Sequence, residues 1–94
     1  MENNIDLIKE LELKTEVIKF NYMNLFKSFP KSSEEFIQEN YAKIRSELAK
    51  VSTDILHTGI LNNIKNEEFI NRVLTINSQT IFELLNELQK SEKK

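Results

Sequence analysis

PKSSEEFIQENYAKIRSELAKVSTDILHTG, residues 30–59, is bounded by the only proline and the only glycine in the chain. Between them the pattern is helical. Ser32-Ser33-Glu34-Glu35 fits a capping box, in which the Ser32 hydroxyl accepts from the third amide and Glu35 reaches back. Apolar residues then recur at Ile37, Tyr41, Ile44, Leu48, Val51 and Ile55, in steps of four and three that hold one face of a helix. Gly59 is expected to stop it. With Thr58 as C-cap, Gly59 takes the left-handed conformation and Ile60 folds back onto Ile55. The segment reads as a helix over about 32–58.

Upstream, the same spacing recurs. Ile8, Leu11, Thr15, Ile18, Tyr22, Leu25 and Phe29 predict a helix over about 3–29. Pro30 ends it, because proline lacks a backbone donor and pushes the preceding residue out of helical geometry. Downstream, Asn66 can cap a third helix, and Glu67 and Glu68 suit the positive end of its dipole. Its seam is Ile70, Val73, Leu74, Asn77, Ile81, Leu84, Leu85 and Leu88, widened on one edge by Phe69 and Ile76. This helix is expected over about 66–91, with a polar tail at 90–94. Residues 60–65 read two ways: Ile60, Leu61 and Ile64 are too apolar for a free loop and suit an extra turn over the bundle end.

Three helices of about 26 residues are each about 39 Å long at 1.5 Å per residue. Short connections make neighbours antiparallel. The expected fold is therefore all-α: one domain over 1–94, an elongated up-down-up three-helix bundle, with dimerisation into a larger bundle open to it. Glu10 with Lys14, Glu39 with Lys43, and Glu68 with Arg72 are spaced four apart and predict one ion pair per helix. Each contributes only about 0.2–0.5 kcal/mol and marks a solvated face.

Composition narrows the function classes. The chain is 39% hydrophobic and 30% charged, ordinary for a folded helical protein. Acids and bases are interleaved: five and four over 1–29, five and four over 30–59, five and five over 60–94. No third is basic, so nucleic acid is not an expected partner. Cysteine is absent, which removes disulfides, thiol chemistry and cysteine-based metal sites and fits a cytoplasmic location. The start, Met1-Glu2-Asn3-Asn4, does not read as a signal peptide. No stretch approaches the roughly 20 apolar residues of a membrane span. Asn, Lys and Ile each occur eleven times and Arg twice. That bias suggests an AT-rich bacterial or viral source.

Residues able to carry chemistry are few. His57 and Asp54 form one Asp-x-x-His pair, but di-iron bundles need two such pairs and further inward carboxylates. A cation at a helix C-terminus is the plainer role for His57. Ser28 and Lys31 match a Ser-x-x-Lys spacing without the partner motifs that make it catalytic. No phosphate loop, zinc pattern or paired seam carboxylates occur. The expectation is a non-enzyme with no cofactor, no metal and no small-molecule substrate.

The first helix holds the feature that points to binding. Leu13, Val17 and Phe20 lie roughly opposite its seam, with Met23 nearer the seam edge. One three-helix core cannot cover both sides of a helix. Leu13, Val17, Phe20 and Met23 are therefore the expected protein interface, covered by another protein or by a second copy. Ala42, Ala49 and Leu56 recur every seven residues off the seam of the second helix, where small side chains either admit another helix or merely favour helicity. Thr15 and Asn77 interrupt apolar seams and either fix register or meet water at an edge. The leading expectation is a bacterial or phage binding module of inhibitor, immunity or adaptor type. A self-associating structural bundle is the alternative. An amphipathic surface coat is disfavoured by the missing basic face.

Overall fold

The computed structural model describes residues 4–64 and 66–91. Helix α1 spans Asn4–Lys27, α2 Ser33–Leu61 and α3 Glu67–Lys90. Among the described residues there is no strand. The three helices pack pairwise along an elongated antiparallel bundle of 51 × 18 × 17 Å. The expected fold class is the one found. Of the expected tail at 90–94, Lys90 ends α3, Ser91 caps it, and the rest lies outside the described residues.

The starts of α2 and α3 follow the sequence signals. Ser32 is the N-cap of α2, and both halves of its capping box form: the Glu35 amide donates to Ser32 Oγ at 3.2 Å and the Ser32 amide to Glu35 Oε1 at 3.4 Å. Asn66 caps α3 by accepting from the Phe69 amide at 2.7 Å. The first connection is tied by aromatics, since Phe36 packs tilted on Phe26 at 5.2 Å and edge-on to Phe29 at 5.0 Å.

The end of α2 differs from expectation. Gly59 does not stop the helix, which runs on to Leu61 with Asn62 as C-cap. The left-handed residue is Asn63, at φ 64°. The Ile64 amide donates to Gly59 O at 2.7 Å and the Asn63 amide to Ile60 O at 3.0 Å, the two bonds of a Schellman ending. Asparagine tolerates this conformation better than most L-residues. Of the three apolar residues expected to tuck over the bundle end only Ile64 is buried. Ile60 and Leu61 are exposed in the last turn of α2, which the helix's continuation past Gly59 leaves facing outward, and Lys65 lies outside the described residues. Gly59 serves a different need. A Cβ there would sit 2.6 Å from Cε2 of Phe69, so the missing side chain is what lets α3 start against α2.

The core also departs from the predicted seams. Leu25, Tyr41, Ile70 and Leu74 are exposed. In their place Phe26 and Phe36 are buried, together with Ser52 and Thr80, while Phe69 and Ile76, expected at the edge of the α3 seam, are buried within it. The cause is the period. Strict alternation of three and four assumes 3.5 residues per turn and drifts about 20° per heptad on a straight helix. The buried positions instead repeat every eleven residues: Leu7 with Ile18, Leu11 with Tyr22, Thr15 with Phe26, Ile44 with Ile55, Leu48 with Gly59, Phe69 with Thr80, Val73 with Leu84. That is about 3.67 per turn, close to an unsupercoiled helix.

Two apolar clusters result. One holds Ile18, Tyr22, Phe26, Phe36, Ile44, Leu48, Leu84 and Leu88. The other holds Leu7, Leu11, Ile55, Ile64, Phe69, Val73 and Ile76. Between them in the chain order of every helix lie the buried hydroxyls Thr15, Ser52 and Thr80. Asn77 donates to Ser52 Oγ at 2.8 Å, so this seam polar residue joins α2 to α3. Thr15 and Thr80 donate back to the carbonyls of Glu12 and Ile76. Val51 packs against both clusters.

Gly59→Ala gives a sharp test of the α2–α3 contact. Alanine should favour the helix by about 1 kcal/mol. Overpacking against Phe69 should cost about 1–3 kcal/mol. The urea midpoint is expected to fall, and the double variant Gly59→Ala/Phe69→Leu to lose less than the two single losses added together.

Candidate functional site

The outer face of α1 is uncovered. Leu13 is 69% exposed, Val17 58% and Phe20 62%. Steps of four and three keep them in one stripe, and the same α1 turns send Leu11, Thr15, Ile18 and Tyr22 inward. Leu13 and Val17 line a shallow apolar groove with Ile18 and Val51 at the α1–α2 boundary. Met23 lies elsewhere: it packs against the core and lines a depression with Phe26 and Leu88 on the α1–α3 side. Three of the four predicted interface residues thus share one surface, and Met23 is set apart on its other flank.

This face is held by polar ties on both flanks. Toward α2, the Tyr22 hydroxyl donates to Glu47 Oε2 at 2.6 Å. Burial, and then the Glu47 carboxylate, push the Tyr22 phenol up to about 12. Toward α3, Lys19 Nζ bridges Glu16 and Glu83, each at 3.2 Å. Burial pulls the Lys19 amine down, but the two carboxylates outweigh it and hold the amine above its usual range. Arg72 reaches Glu12 at 3.4 Å. Of the expected intrahelical pairs, Glu10–Lys14 forms at 2.9 Å. Glu39 meets Lys31 and Arg72 meets Glu12 instead, because inter-element partners lie within reach.

The remaining features with chemical potential are dispersed. His57 and Asp54 are exposed on α2, and Ser28 and Lys31 are exposed at the α1–α2 connection. Among the described residues no three His, Cys, Asp or Glu side chains gather as a metal-holding group. No described helix is long and apolar enough to cross a membrane. A polar cleft between α1 and α3 is lined by Glu12, Thr15, Lys19, Arg72, Thr80 and Glu83, where both charge signs are already paired with one another.

A second apolar surface lies along the α2–α3 groove and was missed by seam counting. Phe82 is 67% exposed there, beside Tyr41, Arg45, Ile81 and Leu85. Farther along, Leu56, Ile60 and Ile70 bound a second depression. The available signal was charge: in a chain that is 30% charged, Val73 to Phe82 contains no charged residue. Charge depletion marks interface centres better than hydrophobicity does.

The tie at Tyr22 has a measurable signature. A phenol whose folded value is raised contributes stability that is complete below its ordinary value of 10.0 and is lost as pH climbs through about 12. Lys19 acts in the same direction. The urea midpoint should therefore drop across this alkaline range, and Tyr22→Phe should make the drop shallower. No known protein family, curated protein or solved structure matches this chain.

Proposed function

We propose that this protein is a small non-catalytic binding module that acts by protein–protein contact through the outer face of α1. The supporting observation is the exposed Leu13–Val17–Phe20 stripe on a helix whose opposite face is already buried. Three neighbouring apolar side chains, one aromatic, on a rigid helix are the usual makings of a docking surface. Among the described residues the buried positions carry apolar groups and hydroxyls rather than carboxylates or imidazoles, which favours binding over catalysis. An inhibitor, immunity or adaptor role in a bacterial or phage cytoplasm fits this surface and the lack of cysteine. The second reading is a self-associating bundle protein, in which the same stripe pairs between copies; the exposed apolar side chains along the α2–α3 groove favour it by offering the stripe a seat.

Both readings place the binding energy in the same side chains. Phe20→Ala should cost about 2 kcal/mol or more in binding, roughly 30-fold, if Phe20 is a central anchor. Val17→Glu should abolish binding while leaving the thermal unfolding midpoint almost unchanged, since Val17 is exposed. The check is affinity capture with wild type and Val17→Glu side by side, together with solution mass. A partner, foreign or a second copy, that both proteins hold equally well would sink this reading.

A further inference from the structure

We infer that the occupant of the α1 face is a second copy of the chain, whose α2–α3 groove receives the Leu13–Val17–Phe20 ridge. This rests on the binding reading of α1 and names its partner.

Shape and charge both support it. The chain carries a ridge of three apolar side chains at helical spacing and, separately, a groove between two helices with two depressions of about 430 and 450 Å³. A helix laid in the groove between two others completes a four-helix cross-section, and Ala42 and Ala49 on exposed α2 turns leave room for its approach. Arg45 is the one formally charged residue lining either depression. Its guanidinium lies over the Tyr41 ring at 5.8 Å, and among the described residues it has no acidic partner. The ridge carries both signs on its flanks, Lys14 beside Val17 and Glu16 one turn before Phe20. Glu16, with 63% of its side chain exposed, shares Lys19 with Glu83, so Lys19 keeps a carboxylate partner when Glu16 turns to the groove. With Phe20 seated in the depression beside Phe82, Glu16 of the incoming ridge comes to Arg45. The rest of α3's outer face from Asn71 to Phe82 offers Arg72, already turned to Glu12, and otherwise uncharged side chains.

The placement of the two surfaces sets the form of the assembly. In a bundle of 18 × 17 Å cross-section with all three helices in mutual contact, the outer face of α1 points away from the α2–α3 groove. One pair of copies cannot satisfy both surfaces at once. Docking is therefore head-to-tail, building a chain or a ring of copies rather than a closed two-fold dimer.

Sedimentation from micromolar to millimolar protein tests this with two surface variants, Val17→Glu in the ridge and Phe82→Glu in the groove. Wild type should grow in mass with concentration beyond twice 11.1 kDa. Each variant alone should stay at monomer mass. An equimolar mixture should stop at twice that mass, because one intact ridge meets one intact groove and growth ends. Circular dichroism on both variants should match wild type. A wild-type monomer at every concentration overturns self-docking and leaves the α1 reading to a foreign partner. An oligomer broken by Val17→Glu but not by Phe82→Glu overturns the groove and keeps the α1 face. An oligomer that neither variant breaks overturns both.

Discussion

The hydrogen bond from Asn77 to Ser52 sets the vertical alignment of this bundle. Three apolar helices can slide past one another at little cost, since one layer of Leu and Ile packs much like the next. A half-buried amide that meets the buried Ser52 hydroxyl in one alignment removes that freedom. Sliding by a turn takes this partner from the buried hydroxyl, which costs about 1–3 kcal/mol when such a group is left unsatisfied. Thr15 and Thr80 take part at the same level but satisfy themselves on their own helices, so they tolerate this layer rather than specify it. Thr15 and Asn77 were open to either role, and the structure separates them.

How much of this could be read beforehand depends on the range of each signal. Caps are local. Ser32 with Glu35, Asn66 with the Phe69 amide, and Pro30 behave as their few neighbours dictate. The class of fold followed from periodicity and the scarcity of turn residues. The exact seam did not, because a heptad and an eleven-residue repeat agree over one or two turns and part by the third. Leu25 and Phe26 are where they part on α1. Gly59 was misread for a deeper reason. A glycine near a helix end is ambiguous between a left-handed turn and a close approach, and only the position of Phe69, ten residues later, decides. The stop was supplied four residues on by Asn63, a residue that can adopt the same conformation.

The α1 stripe was legible because it contradicted a single core: apolar residues on both faces of one helix leave one face over. The α2–α3 surface is harder to see because Tyr41, Ile70 and Leu85, which line it, fall on the three-and-four spacing of the seams. A wide apolar stripe on α3 supplies both a core edge and a surface, and only the true period tells where one ends. Phe82 stands outside every seam, and a large aromatic off the seam is the residue that marks this surface. The charged residues mostly satisfy one another around these faces. Lys19 with Glu83 and Arg72 with Glu12 tie α1 to α3 and keep its outer side free of strong fields.

The division of the interior into two apolar clusters by a layer of hydroxyls has a consequence for motion. Sub-global opening runs in cooperative units, and a layer of hydroxyls between two apolar clusters is where such units are expected to divide. Val51 is an apolar side chain that packs on both halves. Leu13 lies beside this boundary in α1 and Phe20 beyond it, so a body seated across both would clasp the two halves together. Slowed amide exchange on either side of the waist would then accompany occupancy, with no change in the average fold.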